Sequence, residues 1–440
     1  MPKRDPKLVQ LSETLHEIME SEEIDMDEST FMGVIYKGFS TLTDEREQGK
    51  IKHKLSDCIG IILFCSFAGI DEWIEMEEFA CENQDMLAKY LLLSNGIPSH
   101  DTLQRVMAII RPEQLQKTLV QVLRETIARA SKEIDECLYR NPDLDITVED
   151  IIAVDGKETR NTAMKDAVLE EDQRNFNMLN VYSTETGITL SSTRIPEKSN
   201  EIPEAQHVLK NMDLSGCIVT TDAMNTQKET ARVIVEDSHA DYCLAVKSNQ
   251  QGMYEDLVEY FEDPYLLQEI IEKHPECYYR ISETSKNKEI VREHYITDDV
   301  KWFADLDKWK KLQTFGYIKK TVRNTKTGEE TVEKRYYICS FKADVKLFAL
   351  AIRRHWHIEN LLHWCLDVVF KEDSLRIKDK KALQNLSLIK RFTLSVIKVL
   401  KSHYNGLSMN HIRRKIGRNF EKEMPVVFVA LKKLYEMGGI

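Results

Sequence analysis

The sequence predicts an α/β fold in which an all-α N-terminal domain precedes a mixed sheet with flanking helices and a β-rich insertion. Three features of the 440-residue chain predict it. Apolar side chains recur at helical spacing from residue 54 to about 130, short apolar runs alternate with helical segments from 151 to 246, and polar, strand-like runs fill much of 252–342. Strands that alternate with helices after a purely helical region indicate a helix-flanked sheet attached to a helical domain.

The composition of the whole chain indicates a protein with an ample core and no exported or membrane-spanning segment. Its length predicts two or three domains. No apolar signal segment follows Met1, and the longest apolar run, 59–70, is too short to span a bilayer. The nine cysteines form no Cys-x-x-Cys pair, which is typical of reduced thiols. We therefore expect a cytoplasmic protein without membrane contacts.

The N-terminal region divides into an acidic helical lead-in, residues 1–40, and a helical domain, residues 41–140. Residues 10–31 carry eight acidic side chains and no basic one. Within the helical domain, the segment 95–99 (Asn-Gly-Ile-Pro-Ser) ends one helical pattern, and Ser99 is positioned to cap the next helix. No residue type or spacing in this domain indicates a catalytic role.

Residues 145–405 are predicted to form the domain that contains the sheet. Strands are predicted at 151–155, 178–183, 188–195, 217–221 and 241–246, with helices at 202–212 and 227–236. Three strands followed by a helix, a strand, a helix and a strand form the element order of a ribonuclease-H-like core. After an insertion at about 252–342, helical spacing resumes from 344 to 404, and residues 406–440 are predicted to form a helical tail.

Two acidic residues end predicted strands, and a third lies on a predicted helix. Asp155 ends the first strand, Asp222 ends the fourth, and Glu359 lies in the helical segment after the insertion. Each acid has an ordinary alternative role, because acidic residues also open turns, cap helices and pair with bases. Brought together on rigid elements, three carboxylates would supply the hard oxygen ligands that two Mg²⁺ ions need. Phosphoryl transfer on a nucleic acid is therefore the leading functional hypothesis.

The net charge of −12 by itself argues against binding to phosphates, but the basic side chains are unevenly distributed along the sequence. Residues 374–418 carry twelve basic side chains and a single acidic one, Asp379. Such a run indicates a nucleic-acid surface only if the bases share one face, and a solvated helix surface is the alternative. Lys380 and Lys381 are the DNA-binding residues predicted in this run.

Several phrases of the sequence are long enough to be specific. They are Asp155-Gly156-Lys157, 197–202 (Glu-Lys-Ser-Asn-Glu-Ile), 221–227 (Thr-Asp-Ala-Met-Asn-Thr-Gln), parts of 240–250, 354–360 (Arg-His-Trp-His-Ile-Glu-Asn) and 363–368. Together with Gly69, Trp73 and the segment 95–102, they resemble the insertion-sequence transposases of the ISAs-one group, also called H-repeat-associated proteins. The resemblance covers roughly residues 40–405 in consistent order.

The resemblance implies a DDE transposase with a ribonuclease-H-like catalytic domain. It implies that Asp155, Asp222 and Glu359 are both the catalytic residues and the metal ligands, and that two Mg²⁺ ions are bound, with Mn²⁺ as a substitute. One ion would activate water or a DNA 3′-hydroxyl, and the other would stabilise the leaving oxygen. The implied partners are DNA, as terminal inverted repeats and as target, and further copies of this chain, because two element ends must be brought together.

Polar residues near the acids are predicted to contact the DNA backbone. Lys157 follows Asp155 by two residues and should point to the same side of the strand, with a solvent-facing lysine as the alternative. Lysine, arginine and amide side chains bind phosphate oxygens without reading sequence. The same role is therefore predicted for Lys198, Asn200, Lys247, Asn249, Gln250 and Arg354.

The histidines around Glu359 lack the spacing of a zinc site, so packing and hydrogen bonding are their predicted roles. Trp356 is a candidate for stacking on an exposed base. A supporting role in salt bridges is predicted for the acids that follow, Asp367, Glu372 and Asp373.

The sequence departs from the pattern of broader insertion-sequence relatives near Glu359. His355 and Leu366 occupy positions where those relatives have Arg and Lys, and segment 287–290 diverges from the usual His-Gly-Arg phrase of the group. Two alternatives to an active transposase therefore stay open. One is a decayed or domesticated DNA-binding copy without catalysis, and the other is a nuclease that hydrolyses DNA without joining it.

Overall fold

A single mixed β-sheet runs through the centre of the protein, and helices cover it. The computed structural model describes residues 31–122, 148–163, 174–196, 199–375, 377–401, 404 and 407–437. Within these residues the sheet has nine strands. Most of the acidic lead-in, residues 1–30, and the predicted DNA contact Lys198 lie outside the described residues.

Five strands form the first part of the sheet and coincide with the predicted core strands. They are β1 (Ile151–Thr159), β2 (Phe176–Ser183), β3 (Thr189–Arg194), β4 (Ile218–Thr221) and β5 (Asp241–Val246). β1 pairs antiparallel with β2 and parallel with β4, β2 pairs antiparallel with β3, and β4 pairs parallel with β5. The order β3-β2-β1-β4-β5 is that of a ribonuclease-H-like core, so the predicted fold class is confirmed.

The inserted segment continues this sheet. Its strands are β6 (Tyr278–Ser285), β7 (Lys288–Thr297), β8 (Thr314–Asn324) and β9 (Glu330–Cys339), which pair antiparallel in sequence order. β9 also pairs antiparallel with β5 through Cys243–Val246, so the full order is β3-β2-β1-β4-β5-β9-β8-β7-β6. The predicted β-rich insertion is therefore joined to the core, because it satisfies the backbone groups at the edge of β5.

Helices cover both faces of the sheet. Before the sheet lie α1 (Phe31–Ser40), α2 (Leu55–Ala68), α3 (Trp73–Glu82), the single turn α4 (Gln84–Leu87) and α5 (His100–Ile109), and residues 112–122 are helical and are called α6. Within the sheet domain lie α7 (Glu201–Lys210), α8 (Lys228–Arg232), α9 (Gln251–Glu262) and α10 (Pro264–Lys273). After the sheet follow α11 (Val345–His357), α12 (Trp364–Val368), α13 (Lys380–Leu400), α14 (Met409–Arg418) and α15 (Phe420–Met437). A π-helical turn, Ile358–His363, joins α11 to α12, and another, Val233–Asp237, extends α8. No helix in the described ranges is both long enough and apolar enough to cross a membrane.

Helix α13 lies between the N-terminal helices and the sheet. Its Asn385 side chain donates to the carbonyl oxygens of Met107 and Ile110 on one side, and Lys398 donates to the Tyr182 hydroxyl of β2 on the other. The apolar residues of α13 belong to one buried cluster that also contains residues of α2, α5 and β2. The N-terminal helices and the sheet therefore share a core through α13.

Candidate active site

Asp155 and Asp222 are adjacent because their strands are neighbours. β1 and β4 run parallel, and the last residues that pair between them are Val154 and Thr221, so Asp155 and Asp222 come directly after this pairing. Asp222 follows the end of β4, whereas β1 continues to Thr159 in its pairing with β2, so the prediction that Asp155 ends its strand is wrong. The Asp155 side chain is buried, whereas the Asp222 side chain is 57% exposed at the rim of the sheet. The parallel register thus places two carboxylates at one end of the sheet, one inside the protein and one open to solvent.

Glu359 reaches the same place from the helical layer. It lies in the π-helical turn after α11, and its carboxylate is exposed. Ligand-type atoms of Asp155, Glu359 and His363 all lie within 4.8 Å of one another. Asp155 and Glu359 are therefore close enough to bind one ion together. Asp222 does not belong to the group formed by Asp155, Glu359 and His363, and it lies beside Asp155 at the end of the neighbouring strand β4.

The acids around Asp155 change its protonation. Burial, and after it the negative charges of Asp222, Glu359 and Glu201, raise the pKa of Asp155 to about 8. Asp222 shows the opposite shift, because its interaction with His355 and the nearby charges of Lys247 and Arg335 outweigh desolvation and lower its pKa. Crowded carboxylates whose charge is incompletely balanced by the protein form an environment that favours a bound cation.

The donor set at this site fits a hard divalent cation. Asp155 and Glu359 offer carboxylate oxygens, with Asp222 beside them, and these are the ligands that Mg²⁺ and Mn²⁺ prefer. No cysteine belongs to the group of ligand-type atoms found among the described residues. The two carboxylates of this group therefore suit a divalent cation that prefers oxygen ligands.

His363 supports Asp155 from the protein interior. Its Nδ1 lies 3.6 Å from Asp155 Oδ2, and its Nε2 lies 3.3 Å from the Asn180 amide nitrogen. The Asn180 amide has a defined orientation, because its Oδ1 accepts hydrogen bonds from Arg391 Nε and Ser192 Oγ. Asn180 Nδ2 must then donate to His363 Nε2, which leaves the imidazole proton on Nδ1, directed at Asp155.

The protonation of His363 agrees with this arrangement. Burial, and after it the charges of Arg391 and Lys157, lower the pKa of His363 to about 3, so the ring is neutral. A neutral ring with its proton on Nδ1 has no lone pair to offer an ion on that side. In this arrangement the Nδ1 side of His363 faces the Asp155 carboxylate at 3.6 Å, and the hydrogen bond that the ring makes is the one with Asn180.

Lys157 lies in a buried charge cluster behind the acids. Its side chain is 5% exposed, and Nζ lies 2.6 Å from Asp367, 3.4 Å from Glu372 and 3.6 Å from Asp373. Burial acts to raise the pKa of Glu372, but Arg391 and Lys157 outweigh it and lower that pKa to about 2. The salt-bridge role predicted for the three acids is therefore correct, whereas both predictions for Lys157, a phosphate contact and a solvent-facing lysine, are wrong, because the three carboxylates hold the ammonium group inside.

Several bases of the run 374–418 are held inside the protein. Lys380 is buried and donates to the carbonyl oxygens of Thr162 and Arg174, and Lys381 donates to the Ile109 carbonyl oxygen. Asp379, the single acid of the run, caps α13 by accepting from the Ala382 backbone N–H. Lys390, Arg391 and Arg413 are also buried. The predicted DNA contact at Lys380 is therefore wrong, and the alternative of a solvated helix surface does not describe this part of the run either, because α13 has protein on both sides.

The other predicted DNA contacts are mostly engaged within the protein. Asn200 caps α7 by accepting from the Ile202 backbone N–H, and Arg354 pairs with Glu185. Asn249 donates to the Ala223 carbonyl oxygen, and Gln250 donates to the Thr226 carbonyl oxygen. Lys247 is exposed and lines a cavity of about 400 Å³ together with Asp222, so it is the predicted contact that the fold places at the acids.

Two features of the site were not predicted. Glu201, the first residue of α7, contributes to the raised pKa of Asp155. The Arg391–Asn180–His363 chain reaches Asp155 from a helix more than two hundred residues away in the sequence. The sequence signal for Glu201 was its place in the phrase 197–202. The hydrogen-bonded series Arg391–Asn180–His363 had no local signal, because its members meet only in the folded protein.

Trp356 and Arg335 mark the boundary between two adjoining cavities. The Arg335 guanidinium lies 4.7 Å from the centroid of the Trp356 ring, which is 40% exposed. The first cavity is the one that contains Asp222, and the second, of about 760 Å³, lies between α11 and the inserted strands. Both cavities include Arg335 and Trp356 in their walls, so together they form a groove that leads away from the acids.

Comparisons with known proteins give the family. The family described as "Transposase DDE domain" matches residues 147–414, and the one described as "DDE_Tnp_1-associated" matches residues 36–122. A "Putative transposase YncI" of Escherichia coli O157:H7 is 33% identical over 383 residues, which cover 86% of this chain and 90% of that protein. The "H repeat-associated putative transposase YhhI" of Escherichia coli (strain K12) is 31% identical over 386 residues, 87% of this chain and 94% of that protein.

A solved structure also aligns along most of the chain. A cryo-EM structure of the piggyBac transposase synaptic complex with hairpin DNA aligns with a TM-score of 0.37 and 11% identity, over 92% of this chain and 80% of that chain. The family matches and the relatives carry the assignment. The chain belongs to the DDE transposases, in the H-repeat-associated group of insertion-sequence proteins.

Proposed function

We propose that this protein is an active DNA transposase that cleaves the ends of an insertion sequence and joins them to target DNA. Asp155, Asp222 and Glu359 are the proposed catalytic and metal-binding residues. The observation that carries the proposal is the β1–β4 register, which sets Asp155 and Asp222 side by side, with Glu359 brought within 4.8 Å of the Asp155 group. Family membership supports the reaction class.

Some residues of the site are proposed to bind the ions, and others to orient the residues that bind them. Two Mg²⁺ ions, or Mn²⁺ in their place, would when bound supply activation of the attacking oxygen and stabilisation of the leaving oxygen. Asp155, whose pKa the charges of Asp222 and Glu359 raise, would together with these two residues hold the ions. The Gly156 backbone N–H donates to Asp155 Oδ1 at 2.9 Å, and His363 Nδ1, at 3.6 Å from Asp155 Oδ2, is the group proposed to orient the other oxygen.

The groove beside Asp222 is the proposed path of the DNA strand near the scissile phosphate. Five basic side chains line its outer part, and Glu283 and Glu333 are the acids among its lining residues; the bases are Arg292, Lys320, Arg335, Lys346 and Arg353. Trp356 offers an aromatic face there, and Lys247 lies at the inner end. Basic side chains around an exposed aromatic ring suit a nucleic-acid strand. Asn200, Lys198, Asn249, Gln250, Arg354 and Lys381 stay secondary candidates for contacts to DNA.

Cleavage and strand transfer test the proposal directly. Purified protein, assembled with DNA that carries the element ends, is expected to nick those ends and join them to a plasmid when Mg²⁺ or Mn²⁺ is present. Asp222→Asn should lower the rate at least a hundredfold, because it removes a charged ligand while preserving the shape of the side chain. Wild-type activity in this variant would contradict the assignment.

The products separate the proposed function from its alternatives. Ends that are cut but never joined, as mapped by sequencing the products, would favour a hydrolytic nuclease. DNA that is bound and not cut under any divalent ion would favour a decayed copy, and one relative, 36% identical over 69 residues, bears the name "Inactive transposase YbfQ". Because two ends must be brought together, we also propose that the protein acts as a homo-oligomer on DNA, and joined products that contain both ends would support it.

The role of His363 can be tested by two substitutions. His363→Asn keeps an N–H donor near the position of Nδ1, whereas His363→Leu fills the space without a donor. We expect His363→Leu to raise the Mn²⁺ concentration needed for half-maximal cleavage by roughly tenfold or more, and His363→Asn to restore most of that loss, because groups that orient a ligand affect metal affinity to this extent. Equal metal dependence in the two variants would show that the N–H group is not what orients Asp155.

A further inference from the structure

Glu201 begins helix α7 but does not have the surroundings of an ordinary helix-terminal acid. Acidic residues are common in the first turn of a helix because they interact favourably with the helix dipole. Glu204, in the same first turn, can serve that purpose, and the Asn200 side chain caps the helix. The Glu201 side chain instead extends over β1, so the dipole does not account for its position.

Gly156 provides the space that the Glu201 carboxylate occupies. A Cβ atom added at position 156 would overlap the carboxylate group of Glu201. Gly156 lies inside a strand and is not among the residues with positive φ, so its backbone conformation does not require glycine. A glycine within a strand weakens it by roughly 0.5–1 kcal/mol relative to alanine, and close approach of another group is a usual reason for it. Here the group that approaches is a fourth carboxylate, next to Asp155.

Glu201 lies near two of the proposed metal ligands, Asp155 and Asp222. Burial, and to a smaller extent the charge of Asp222, raise the pKa of Glu201, while the Asn225 amide acts in the opposite direction. Asn225 is fully buried and lies close enough to Glu201 to affect its pKa, yet within the described part of the chain neither of its amide atoms reaches a hydrogen bond of regular geometry. A buried amide without a hydrogen bond, directed at a carboxylate among other carboxylates, indicates that a further polar group belongs at this position.

We infer that Glu201 is a fourth carboxylate of the metal centre and helps to hold the cation between Asp155 and Asp222. This inference rests on the proposed function. Three carboxylates cannot balance the charge of two divalent cations, whereas four can, so the centre could be loaded before DNA arrives. Gly156 is then required because its missing side chain admits Glu201 to the site.

Metal binding without DNA tests the inference. The probe is Mn²⁺, and free Mn²⁺ is measured by electron paramagnetic resonance during titration of the full chain. Glu201→Gln is expected to weaken Mn²⁺ binding by roughly tenfold or more, because it removes a charged oxygen donor and preserves the size of the side chain. The matched control, Glu204→Gln, lies one turn further along the same helix and should bind Mn²⁺ as the wild type does.

A second variant leaves all four acids in place. Gly156→Ala adds only a methyl group, which would displace the Glu201 carboxylate, and it should weaken Mn²⁺ binding in the same direction as Glu201→Gln. Thermal unfolding in the presence of a chelator establishes that each variant is folded. Wild-type Mn²⁺ affinity in Glu201→Gln would overturn the inference whether or not Gly156→Ala folds.

The outcomes for the inference and for the proposed function are separable. If Asp155→Asn loses Mn²⁺ binding while Glu201→Gln retains it, then Glu201 is not a ligand and the proposed metal centre stands without it. If the wild-type chain binds no Mn²⁺, or Asp155→Asn binds it normally, then the metal centre itself is refuted. Glu201→Gln is also compared with the wild type after treatment with a chelator. If the variant is then more stable and also binds Mn²⁺ more weakly, the result would support the inference that four carboxylates repel one another in the metal-free protein.

Discussion

Asp155→Asn is expected to lower strand cleavage by roughly a thousandfold or more and to stabilise the metal-free protein at pH 8. The loss of activity follows because Asp155 is the proposed ligand whose pKa the charges of Asp222, Glu359 and Glu201 all raise, and ion-mediated stabilisation of a transition state amounts to several kcal/mol. Rates are measured on DNA that carries the element ends. Asp256→Asn, an exposed position on α9, is the matched control and should retain wild-type rates.

The gain in stability follows from the raised pKa of Asp155. The folded protein holds a proton there up to a pKa of about 8, whereas an unfolded aspartate loses it near pH 4. The folded state therefore binds more protons between these values, so the free energy of unfolding of the metal-free wild type falls as pH rises from about 4 to about 8. Asparagine does not titrate, and the variant avoids this loss, which we expect to be on the order of 5 kcal/mol at pH 8.

Chemical denaturation in the presence of a chelator, at pH 5 and at pH 8, measures this effect. The advantage of Asp155→Asn over the wild type should be larger at pH 8. Addition of Mn²⁺ at pH 8 should reverse the order, because the wild type gains stability from the ion and the variant does not. A stability difference that is the same at both pH values would mean that Asp155 is not crowded by its neighbouring acids.

Arg413→Met is expected to destabilise the protein by roughly 3 kcal/mol, whereas Arg414→Met should change the free energy of unfolding by less than about 0.5 kcal/mol. Arg413 is buried, donates twice to the Ser66 carbonyl oxygen and once to that of Val369, and lies 4.1 Å from the centroid of the Phe370 ring. Asp71, 3.6 Å away, shares its charge with Lys390. Methionine fills the space but leaves the carbonyl oxygens and part of the Asp71 charge without a partner.

The two adjacent arginines separate a structural role from a DNA-binding role. Arg414 is exposed, so it tests what a solvent-facing base of the run contributes. Urea denaturation gives the free energies of unfolding, and a DNA mobility assay under folding conditions gives the affinities. If the run were a DNA-binding face, the exposed Arg414 would contribute more to affinity than the buried Arg413. Equal stability of the two variants would contradict the placement of Arg413 between α2 and the segment after α12.

The strands and their terminal acids could be predicted because their signals are local. The apolar run 151–154 ends at Asp155, and the run 218–221 ends at Asp222, and in both places the structure has a strand of the core sheet. The β-rich insertion before α11 could also be predicted, since its alternation of polar and apolar residues differs from the apolar runs of the core. The way in which the insertion joins the core could not be predicted, because the pairing of β5 with β9 is a contact between distant segments.

The basic run and the lysine beside Asp155 show where local reasoning fails. A count of charges does not reveal which sides of a helix are covered by other parts of the protein. Helix α13 has protein on both sides. Its bases therefore pair inside the protein with Asp71, Glu372 and backbone carbonyl groups. Lys157 was correctly placed near the acids, but its partners come from the segment 367–373. Burial of a charge requires a partner of opposite sign, and such a partner can lie anywhere in the sequence.

By itself, the sequence determined the family and the order of strands and helices, and it singled out the three acids proposed as ligands, because these inferences depend on residue types at short spacing. The tertiary structure decided which charges are buried, which proton His363 carries and that Glu201 lies over Gly156 beside Asp155. These depend on distances between elements that are far apart in the chain. Electrostatic energy and hydrogen bonding act through space, so they are set only when the chain has folded.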